Sequence, residues 1–267
     1  MRFPFSNSIR RAVGVGFALA ALSAAVAAPP GQAVAAGGPS AHRPVLVELF
    51  TSEGCSSCPP ADELLAWIDA KKSVSGTPVV VLSEHVTYWD RPEWHDPYSL
   101  ESVTVRQQEY GNRFHLDSVY TPQAMVDGQA QVTGSDSAAL LHAIAQAASS
   151  PGIDLTIQDA QLSGKAVRFK VGLAPGAAAS SNASLTAALA DDSAQSAVSG
   201  GENAGHTLRY VAVVRVMRDF GMSAFDGRAF ELKASGASKS GPLRLIVFAT
   251  DRSSGHVIGV AEQTLSR

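Results

Sequence analysis

The chain is poor in cysteine. Its 267 residues contain only two, Cys55 and Cys58, so the protein is not a disulfide-rich scaffold, which needs several bridges in a short chain. Two cysteines also fall short of the four ligands of a structural zinc site. A second internal disulfide that could relay electrons is excluded too. Any thiol–disulfide exchange therefore has to take place with partners.

Positive charge is also scarce. Lys and Arg number 21 against 24 Asp and Glu, which gives a net charge of −3. Nucleic-acid binding requires a basic face, so we expect no nucleic-acid partner. The sequence also has neither the Gly-rich loop that cradles phosphates nor the Gly-x-Ser-x-Gly turn of serine hydrolases.

Long apolar runs are missing as well. The longest, residues 12–28, is shorter than a bilayer requires and follows three arginines without any acid. It ends near Ala25-Val26-Ala27, a small-x-small pattern typical of signal-peptidase cleavage, and Ala33-Val34-Ala35 is a second candidate. We therefore predict a signal peptide at 1–28 and a bacterial protein that is periplasmic or secreted, with no membrane contact after cleavage.

The segment that follows is low in complexity. Residues 29–43 are rich in Pro, Gly, Ala and Ser, a composition that predicts a disordered leader. Removing the signal peptide removes three arginines and no acid, which lowers the net charge from −3 to −6. Export would place the two cysteines in an oxidising compartment, where disulfides persist.

The two cysteines form a C-x-x-C motif between two kinds of pattern. Cys55-Ser56-Ser57-Cys58 follows the apolar, strand-like run Val45–Phe50 and precedes the helix-like run Ala61–Ile68. A strand that delivers C-x-x-C to a helix N-terminus is the layout of a thioredoxin-like redox site, where the helix dipole stabilises a thiolate. The alternative is a structural disulfide, although so small a loop gains little entropy.

The pattern changes near residue 150. Residues 44–150 alternate in the order strand, helix, strand, helix, hairpin, helix, which predicts an α/β thioredoxin-like domain. Ser149-Ser150-Pro151-Gly152 then interrupts the pattern. Residues 151–267 contain short runs of period two, which predict a mainly antiparallel, sandwich-like β-rich accessory domain.

The motif and its surroundings resemble a known family. Its opening block runs from Glu48 to Asp62, Glu-Leu-Phe-Thr-Ser-Glu-Gly-Cys-Ser-Ser-Cys-Pro-Pro-Ala-Asp, and resembles the signature of a bacterial exported thioredoxin-like family of unknown function. The resemblance continues through six later blocks: His85–Asp90, Trp94–Pro97, Arg106-Gln107, Tyr120–Gln123, Val126–Gly128 and Gly201–Asn203. It reappears in the last strands and so covers nearly all of the mature chain. It implies a thioredoxin-like fold and thiol chemistry, but no substrate.

Roles for the residues of the motif follow from thioredoxin geometry. Cys55 lies at the helix entrance and is expected to be the attacking thiol, with Cys58 as the resolving thiol. Thr121-Pro122 resembles the Thr–cis-Pro pair that faces the cysteines and guides a substrate strand. The alternative for Pro122 is a trans proline that opens an edge strand.

Glu48 is a candidate proton carrier. By period two it shares a strand face with Leu46 and Phe50. A buried carboxylate has a raised pKa and could exchange a proton with Cys58. The equally weighted alternative is an acid paired with a lysine or exposed at a sheet edge.

Two loops are candidates for the walls of the site. The loop 85–97 combines His85, Trp89 and other aromatic and acidic residues after a strand end, where α/β folds place their sites. We assign Thr121, His85 and Trp89 to substrate binding; the alternative for His85 is a hydrogen-bonded loop core. The segment Gly201–Gly205 is expected either to reach over the cysteine cleft or to be a plain turn.

The leading functional prediction is an exported thiol–disulfide oxidoreductase-like protein that uses Cys55 and Cys58. Its partners would be periplasmic or extracellular proteins with thiols or disulfides, and it would need no cofactor or bound metal. Two alternatives stay open: a periplasmic copper carrier that uses both cysteines and a histidine such as His85, and a non-redox binding module in which the disulfide only closes a loop.

Overall fold

A computed structural model describes residues 43–164, 166–174, 182–221, 227–233 and 241–266. The predicted signal peptide, 1–28, and the leader up to residue 42 lie outside the described residues. Arg43, which the sequence assigned to the disordered leader, is an exception. It is buried, and its guanidinium lies 2.8 Å from the Asp127 carboxylate, so it belongs to the folded structure.

The described residues contain three helices and twelve strands, joined by loops. The helices are α1 (Pro59–Lys71), α2 (Glu101–Arg113) and α3 (Ser137–Ala147). The strands are β1 (Val45–Thr51), β2 (Ser73–Val74), β3 (Thr77–His85), β4 (Gln123–Val126), β5 (Ala130–Thr133), β6 (Leu155–Ser163), β7 (Ala166–Leu173), β8 (Ala183–Ala197), β9 (Thr207–Asp219), β10 (Ala229–Lys233), β11 (Leu243–Asp251) and β12 (Val257–Leu265). Among these residues no helix is long and apolar enough to cross a membrane.

The order of elements in the first half is the predicted one, apart from the short β2. Strand β1 pairs parallel with β3 and antiparallel with β4, which forms a hairpin with β5. Every residue of β1 is buried, as expected of a strand covered on both faces.

Local chemistry explains where the helices begin and end. Pro59 and Pro60 occupy the first positions of α1, where a missing N–H has no intrahelical partner to lose. The helix ends at Lys72 in the left-handed conformation. Helix α3 begins after Asp136, whose carboxylate accepts a hydrogen bond from the Ala139 N–H at 3.0 Å.

The second half extends the sheet of the first half. Strand order in the large sheet is β12-β11-β8-β9-β3-β1-β4-β5, with β2 paired on β3, while β10-β7-β6 form a separate three-stranded sheet. The described residues from 43 onward form one compact unit, with no break at the boundary expected near residue 150. The fold is a mixed α/β arrangement around a large, mostly β sheet.

Strict alternation along β8 and β11 explains how one sheet serves two cores. In β11, Ile246 and Phe248 pack into the core that contains β1, α1 and α3. Their neighbours Leu245 and Val247 pack into a second core with the three-stranded sheet. Because successive strand residues point to opposite faces, β11 contributes to both cores at once. The second half is β-rich, as the sequence predicted, and four of its strands continue the sheet of the first half.

Arg244 of β11 ties the end of α1 to this sheet. Its guanidinium donates two hydrogen bonds to the Asp69 carboxylate, at 2.6 and 2.7 Å, and one to Asp192 at 2.6 Å. Arg244 is only 5% exposed. Burial raises the pKa of Asp69, but the hydrogen bonds from Arg244 and Lys72 outweigh it and hold that pKa below its ordinary value. The carboxylate is therefore charged and depends on Arg244.

Replacing Arg244 by Met should lower the free energy of unfolding by about 3 kcal/mol, because the buried, charged Asp69 would keep only the largely exposed Lys72 as a partner. Urea denaturation at neutral pH measures the loss. The difference from the wild type should shrink as the pH falls below about 4, since the lowered pKa of Asp69 contributes stability only where the unfolded carboxyl is ionised.

The matched control is Arg168→Met, which removes an ion pair with Glu231 whose arginine side chain is 73% exposed. That change should cost less than about 1 kcal/mol. Equal losses in the two variants would show that the Arg244–Asp69 contact does not hold α1 in place.

Candidate functional site

The C-x-x-C motif lies in the connection between β1 and α1, as predicted. Cys55 and Cys58 form a disulfide. Their backbones follow a tight course, in which the Cys55 N–H donates to Ser52 O and the Cys58 N–H donates to Cys55 O. Both cysteines are buried, with exposures of 1% for Cys55 and 0% for Cys58. The expectation of an exposed attacking thiol therefore does not hold for this conformation.

The helix entrance offers fewer N–H donors than expected. Pro59 and Pro60 have no N–H, and the next one, of Ala61, already donates to Cys58 O at 2.8 Å. The Ser57 hydroxyl lies beside the Cys55 sulfur, with an Oγ–Sγ distance of 3.4 Å. A thiolate at Cys55 would thus be stabilised by this hydroxyl and by the helix dipole.

A loop from the second half covers the motif. We call residues 199–205, between β8 and β9, the cover loop. Its Glu202 carboxylate accepts hydrogen bonds from the Ser56 N–H at 3.0 Å and the Ser56 hydroxyl at 2.6 Å. The buried Asn203 amide donates to Glu53 O and Cys55 O, both at 2.9 Å. Of the two expectations for this segment, the loop that reaches over the cysteines is the one observed.

Two glycines allow the cover loop to approach so closely. A Cβ at Gly200 would lie 2.5 Å from Cγ of Trp94. Gly201 has a φ of 74°, which disfavours other residues, and a Cβ there would lie 3.2 Å from the Cα of Gly54. The close fit of this loop against Trp94 and Gly54 therefore requires small residues.

The structure brings Thr121 and Trp89 together beside the motif. The Trp89 indole N–H donates to the Thr121 hydroxyl at 2.7 Å, and a Cβ at Gly54 would lie 3.2 Å from Cβ of Trp89. The Thr121–Pro122 bond is cis, as expected. Pro122 directly precedes β4, whose Gln123 is paired with Phe50 at the end of β1, so it lies at the same end of the sheet as the motif.

Glu48 is bound to two side chains of α2. It is fully buried, but its carboxylate accepts hydrogen bonds from the Arg106 guanidinium and, at 2.6 Å, from the Tyr110 hydroxyl. Burial raises its pKa, yet Arg106 and these hydrogen bonds outweigh burial and lower it overall. Burial and the adjacent Glu48 raise the pKa of Glu84 instead. Glu48 is thus an ionised partner of α2, in line with the ion-pair alternative, with arginine instead of lysine.

His85 is buried behind the motif. Its Nδ1 lies 2.8 Å from the Asp96 carboxylate, and its ring packs edge-on against Tyr98 and Tyr210, with centroid distances of 5.3 and 4.6 Å. Burial lowers the pKa of His85, but the Asp96 carboxylate raises it above the ordinary value overall. His85 therefore does not wall an open cleft, and the hydrogen-bonded loop core expected as the alternative describes it better.

Sequence reasoning missed two buried acids around His85. Burial raises the pKa of Glu53, and separately that of Asp62, to about 7. Neither oxygen of the Asp62 carboxylate has a hydrogen-bond partner, and the same holds for Oε1 of Glu53 and Nε2 of His85. The spacing could have identified Asp62, because it lies four residues after Cys58 and three before the buried Leu65, on the inner face of α1.

The copper alternative needs the cysteines and a histidine to form one group. In the part of the chain that the structure describes, no three or more His, Cys, Asp or Glu side chains are grouped so that they could share a metal ion. The Nδ1 of His85 is already occupied by Asp96.

Stability should reflect the raised pKa of Asp62. Between about pH 4 and 7 the folded carboxyl keeps a proton that the unfolded chain has released, so its contribution is lost as the pH rises through that window. Asp62→Asn should therefore be more stable than the wild type at about pH 8, by up to about 3 kcal/mol, and similar to it at about pH 4. Urea denaturation of the oxidised protein across this pH range measures the free energy of unfolding of the variant and of the wild type.

The control is Glu109→Gln, which changes an exposed acid of α2. Its stability should follow the wild type across the whole pH range. If the free energies of unfolding of Asp62→Asn and the wild type changed with pH in the same way, the raised pKa of Asp62 would be contradicted.

Two solved structures are similar to most of this chain. The crystal structure of protein AGR_C_4864 from Agrobacterium tumefaciens is similar, with 26% identity and a TM-score of 0.59 over 84% of this chain and 97% of that one. HBP35 of Porphyromonas gingivalis is similar in fold alone, with 14% identity and a TM-score of 0.56 over 85% of this chain and 77% of that one. No curated protein matches the chain significantly.

A family model matches as well. The family described as "Protein of unknown function (DUF1223)" matches residues 46–250, which is more than half of the chain. The match agrees with the expected membership of a family without an assigned function, and it carries no statement about fold or thiol chemistry. This chain belongs to the DUF1223 family.

Proposed function

We propose that this chain is an exported thiol–disulfide oxidoreductase-like protein that exchanges disulfides through Cys55 and Cys58. The observation that carries the proposal is the position of the disulfide, between the end of a central strand and the N-terminus of α1. A helix N-terminus stabilises a thiolate, which is the reactive species in exchange.

The topology around the motif supports a thioredoxin-like interpretation of residues 44–150. Strand β1 lies between parallel β3 and antiparallel β4, with β5 at the edge, and the chain runs β1, α1, β3, α2, β4, β5, α3 apart from the short β2. This is the order that the sequence predicted for a thioredoxin-like domain. Thr121 and Trp89 beside the motif then form the surface on which a partner chain would be placed.

The proposed exchange has two steps. A partner thiolate attacks Cys55 Sγ, the Cys55–Cys58 bond breaks, and Cys58 leaves as a thiolate that takes up a proton. A second partner thiolate then attacks the mixed disulfide, which releases Cys55 and leaves the partner with a disulfide. Two electrons pass from the partner dithiol to this protein; the reverse sequence reduces a partner disulfide.

Access to Cys55 requires the cover loop to move, since this residue is 1% exposed and the loop is hydrogen-bonded to its carbonyl. The Glu202 carboxylate accepts from the Ser56 N–H next to Cys55 and adds a negative charge there, which disfavours a thiolate. The closed loop therefore opposes exchange both sterically and electrostatically. Partner binding or reduction would have to displace it.

Export and partners complete the proposal. The N-terminal pattern of arginines and small apolar residues supports delivery to the periplasm or the exterior, where proteins with thiols or disulfides would be the partners. The second candidate function is a binding module whose disulfide is structural. It is favoured by the complete burial of Cys58 and near-complete burial of Cys55.

The Cys58→Ser variant should accumulate mixed disulfides with exported proteins, because Cys55 can still attack while the resolving thiol is gone. Non-reducing gels of the affinity-purified variant from an exporting bacterium would reveal them, with Cys55→Ser as the matched control. Trapping by Cys55→Ser alone would reverse the two roles. Trapping by neither, together with slow and equal alkylation of both reduced thiols, would favour the structural disulfide.

The Asn203→Ala variant should speed reduction of the disulfide by dithiothreitol about three- to tenfold per lost hydrogen bond, because each such bond contributes about 0.5–1.5 kcal/mol to the closed loop. Glu202→Ala should act in the same direction. The rates are measured by stopping samples at intervals with an alkylating reagent that blocks free thiols. Glu109→Ala, which changes an exposed acid of α2, serves as the control. Unchanged rates in both loop variants would mean that the loop does not govern access.

A further inference from the structure

Cys58 has no path to solvent of its own. Its exposure is 0%, and its thiol must lose a proton before it can attack and regain one after it leaves. Glu48, the acid expected to serve it, is ionised and bound to Arg106 and Tyr110 of α2. Some other group has to move this proton.

Asp62 is placed to do so. The Asp62 N–H donates to Cys58 O at 3.1 Å, which puts the two residues one helical turn apart on the same face of α1. Side chains of a helix lean toward its N-terminus, so the Asp62 carboxyl is directed toward Cys58. It is 5% exposed, with both carboxyl oxygens buried, and the Thr51 hydroxyl is the one hydrogen-bonding side chain that lowers its pKa, an effect that burial outweighs. Burying a carboxyl with so little compensation costs free energy, which indicates a role other than stability.

The surroundings of Asp62 allow it to hold or release a proton. The ionisable groups that face it are Glu63 of its own helix, His85 of β3, Asp96 of the following loop and Tyr210 of β9. The positive charge favoured on His85 by Asp96 supports the carboxylate, whereas burial supports the neutral acid. Burial raises the pKa of Asp62 to about 7, close to the condition in which a group exchanges protons most effectively at neutral pH.

A groove joins Asp62 to solvent. It lies between α1 and the beginning of β9 and has a volume of about 300 Å³; among its lining residues are Pro59, Asp62, Ala66, Thr207, Leu208 and Arg209. Asp62 thus borders the groove, with both carboxyl oxygens buried behind its wall, and lies one helical turn from the buried Cys58. The groove lies beside the start of β9 and not at Ser56 and Cys55, which the cover loop contacts.

We propose that Asp62 accepts and returns the Cys58 proton and exchanges it with solvent through the groove between α1 and β9. The inference rests on the proposed function and adds the group that moves the proton. In the reducing direction the Asp62 carboxylate takes the proton from Cys58 Sγ. The Cys58 thiolate attacks Cys55 Sγ, the Cys55–Cys58 bond forms, and the partner leaves as a thiolate. In the oxidising direction protonated Asp62 returns the proton to the leaving Cys58 thiolate.

The test uses the fully reduced protein and 5,5′-dithiobis(2-nitrobenzoate) in a stopped-flow instrument. In the first phase Cys55 attacks the reagent and releases one coloured thiolate, at a rate that rises with reagent concentration. In the second phase Cys58 attacks the mixed disulfide on Cys55 and releases a second coloured thiolate, at a rate that does not depend on reagent concentration. Only the second phase requires deprotonation of Cys58.

Asp62→Asn should slow the second phase about a hundredfold at neutral pH, the usual size of a general-base contribution. Its rate should then rise with pH up to the ionisation of the thiol itself, and the first phase should change by less than about twofold. Glu109→Gln, which changes an exposed acid of α2 that does not line the groove, should leave both phases as in the wild type.

Chemical rescue separates proton transfer from a structural role. In Asp62→Ala the groove opens onto the vacated position, so added formate should accelerate the second phase in proportion to its concentration. Chloride at the same ionic strength should not, and formate should not accelerate the wild type. A second phase in Asp62→Asn equal to the wild type from about pH 5 to 9, or no rescue of a slowed Asp62→Ala, would overturn the role of Asp62.

Failure of the underlying function gives a different result. If wild-type Cys55 does not react faster than an unfolded thiol in the first phase, thiol exchange itself is refuted, whatever Asp62 does. A fast first phase with an unaffected second phase refutes only the assignment of Asp62.

Discussion

The parallel pairing of β9 with β3 is the contact on which the rest of the site depends. Ser83 of β3 is paired with Val213 of β9, which joins the second half of the chain to the central sheet. This pairing places the cover loop, at the beginning of β9, over the disulfide and Tyr210 against His85. Without it the motif would be an open strand-to-helix connection. Because the two halves share one sheet, the site cannot be assigned to either half alone.

Acidic side chains buried beside the disulfide cost free energy of folding, and the same side chains are available for proton transfer. Glu53 and Asp62 are buried with unpartnered oxygens and raised pKa values, whereas Asp96 is paired with His85. Apolar side chains of similar volume would be more stable in such places. In the second buried group of charges Glu48 is paired with Arg106, which fastens α2 to β1, whereas the adjacent Glu84 carboxyl has no hydrogen-bond partner and a raised pKa. What distinguishes Asp62 from Glu84 is its place on α1, one turn after Cys58.

Periodicity was sufficient to predict most elements. Period two identified the strands beyond residue 150. It did not show that these strands continue the sheet of the first half, because alternation shows which faces of a strand are buried but not which sheet the strand joins. Glu48 was placed correctly on a buried strand face. Its partner Arg106 lies 58 residues away, so its ionisation could not be inferred from neighbouring residues.

By itself the sequence determined the C-x-x-C at a strand–helix junction, the element order of the first half and the β-rich character of the second. These depend on local spacing, propensity and turn chemistry, which act over a few residues. Only the tertiary structure decided that both sulfurs are covered, that Asn203 bonds to Cys55 O 148 residues away, and that Asp62 rather than Glu48 lies unpartnered beside Cys58. Burial and ionisation depend on which distant segments meet, and the pairing of strands across the sheet sets that.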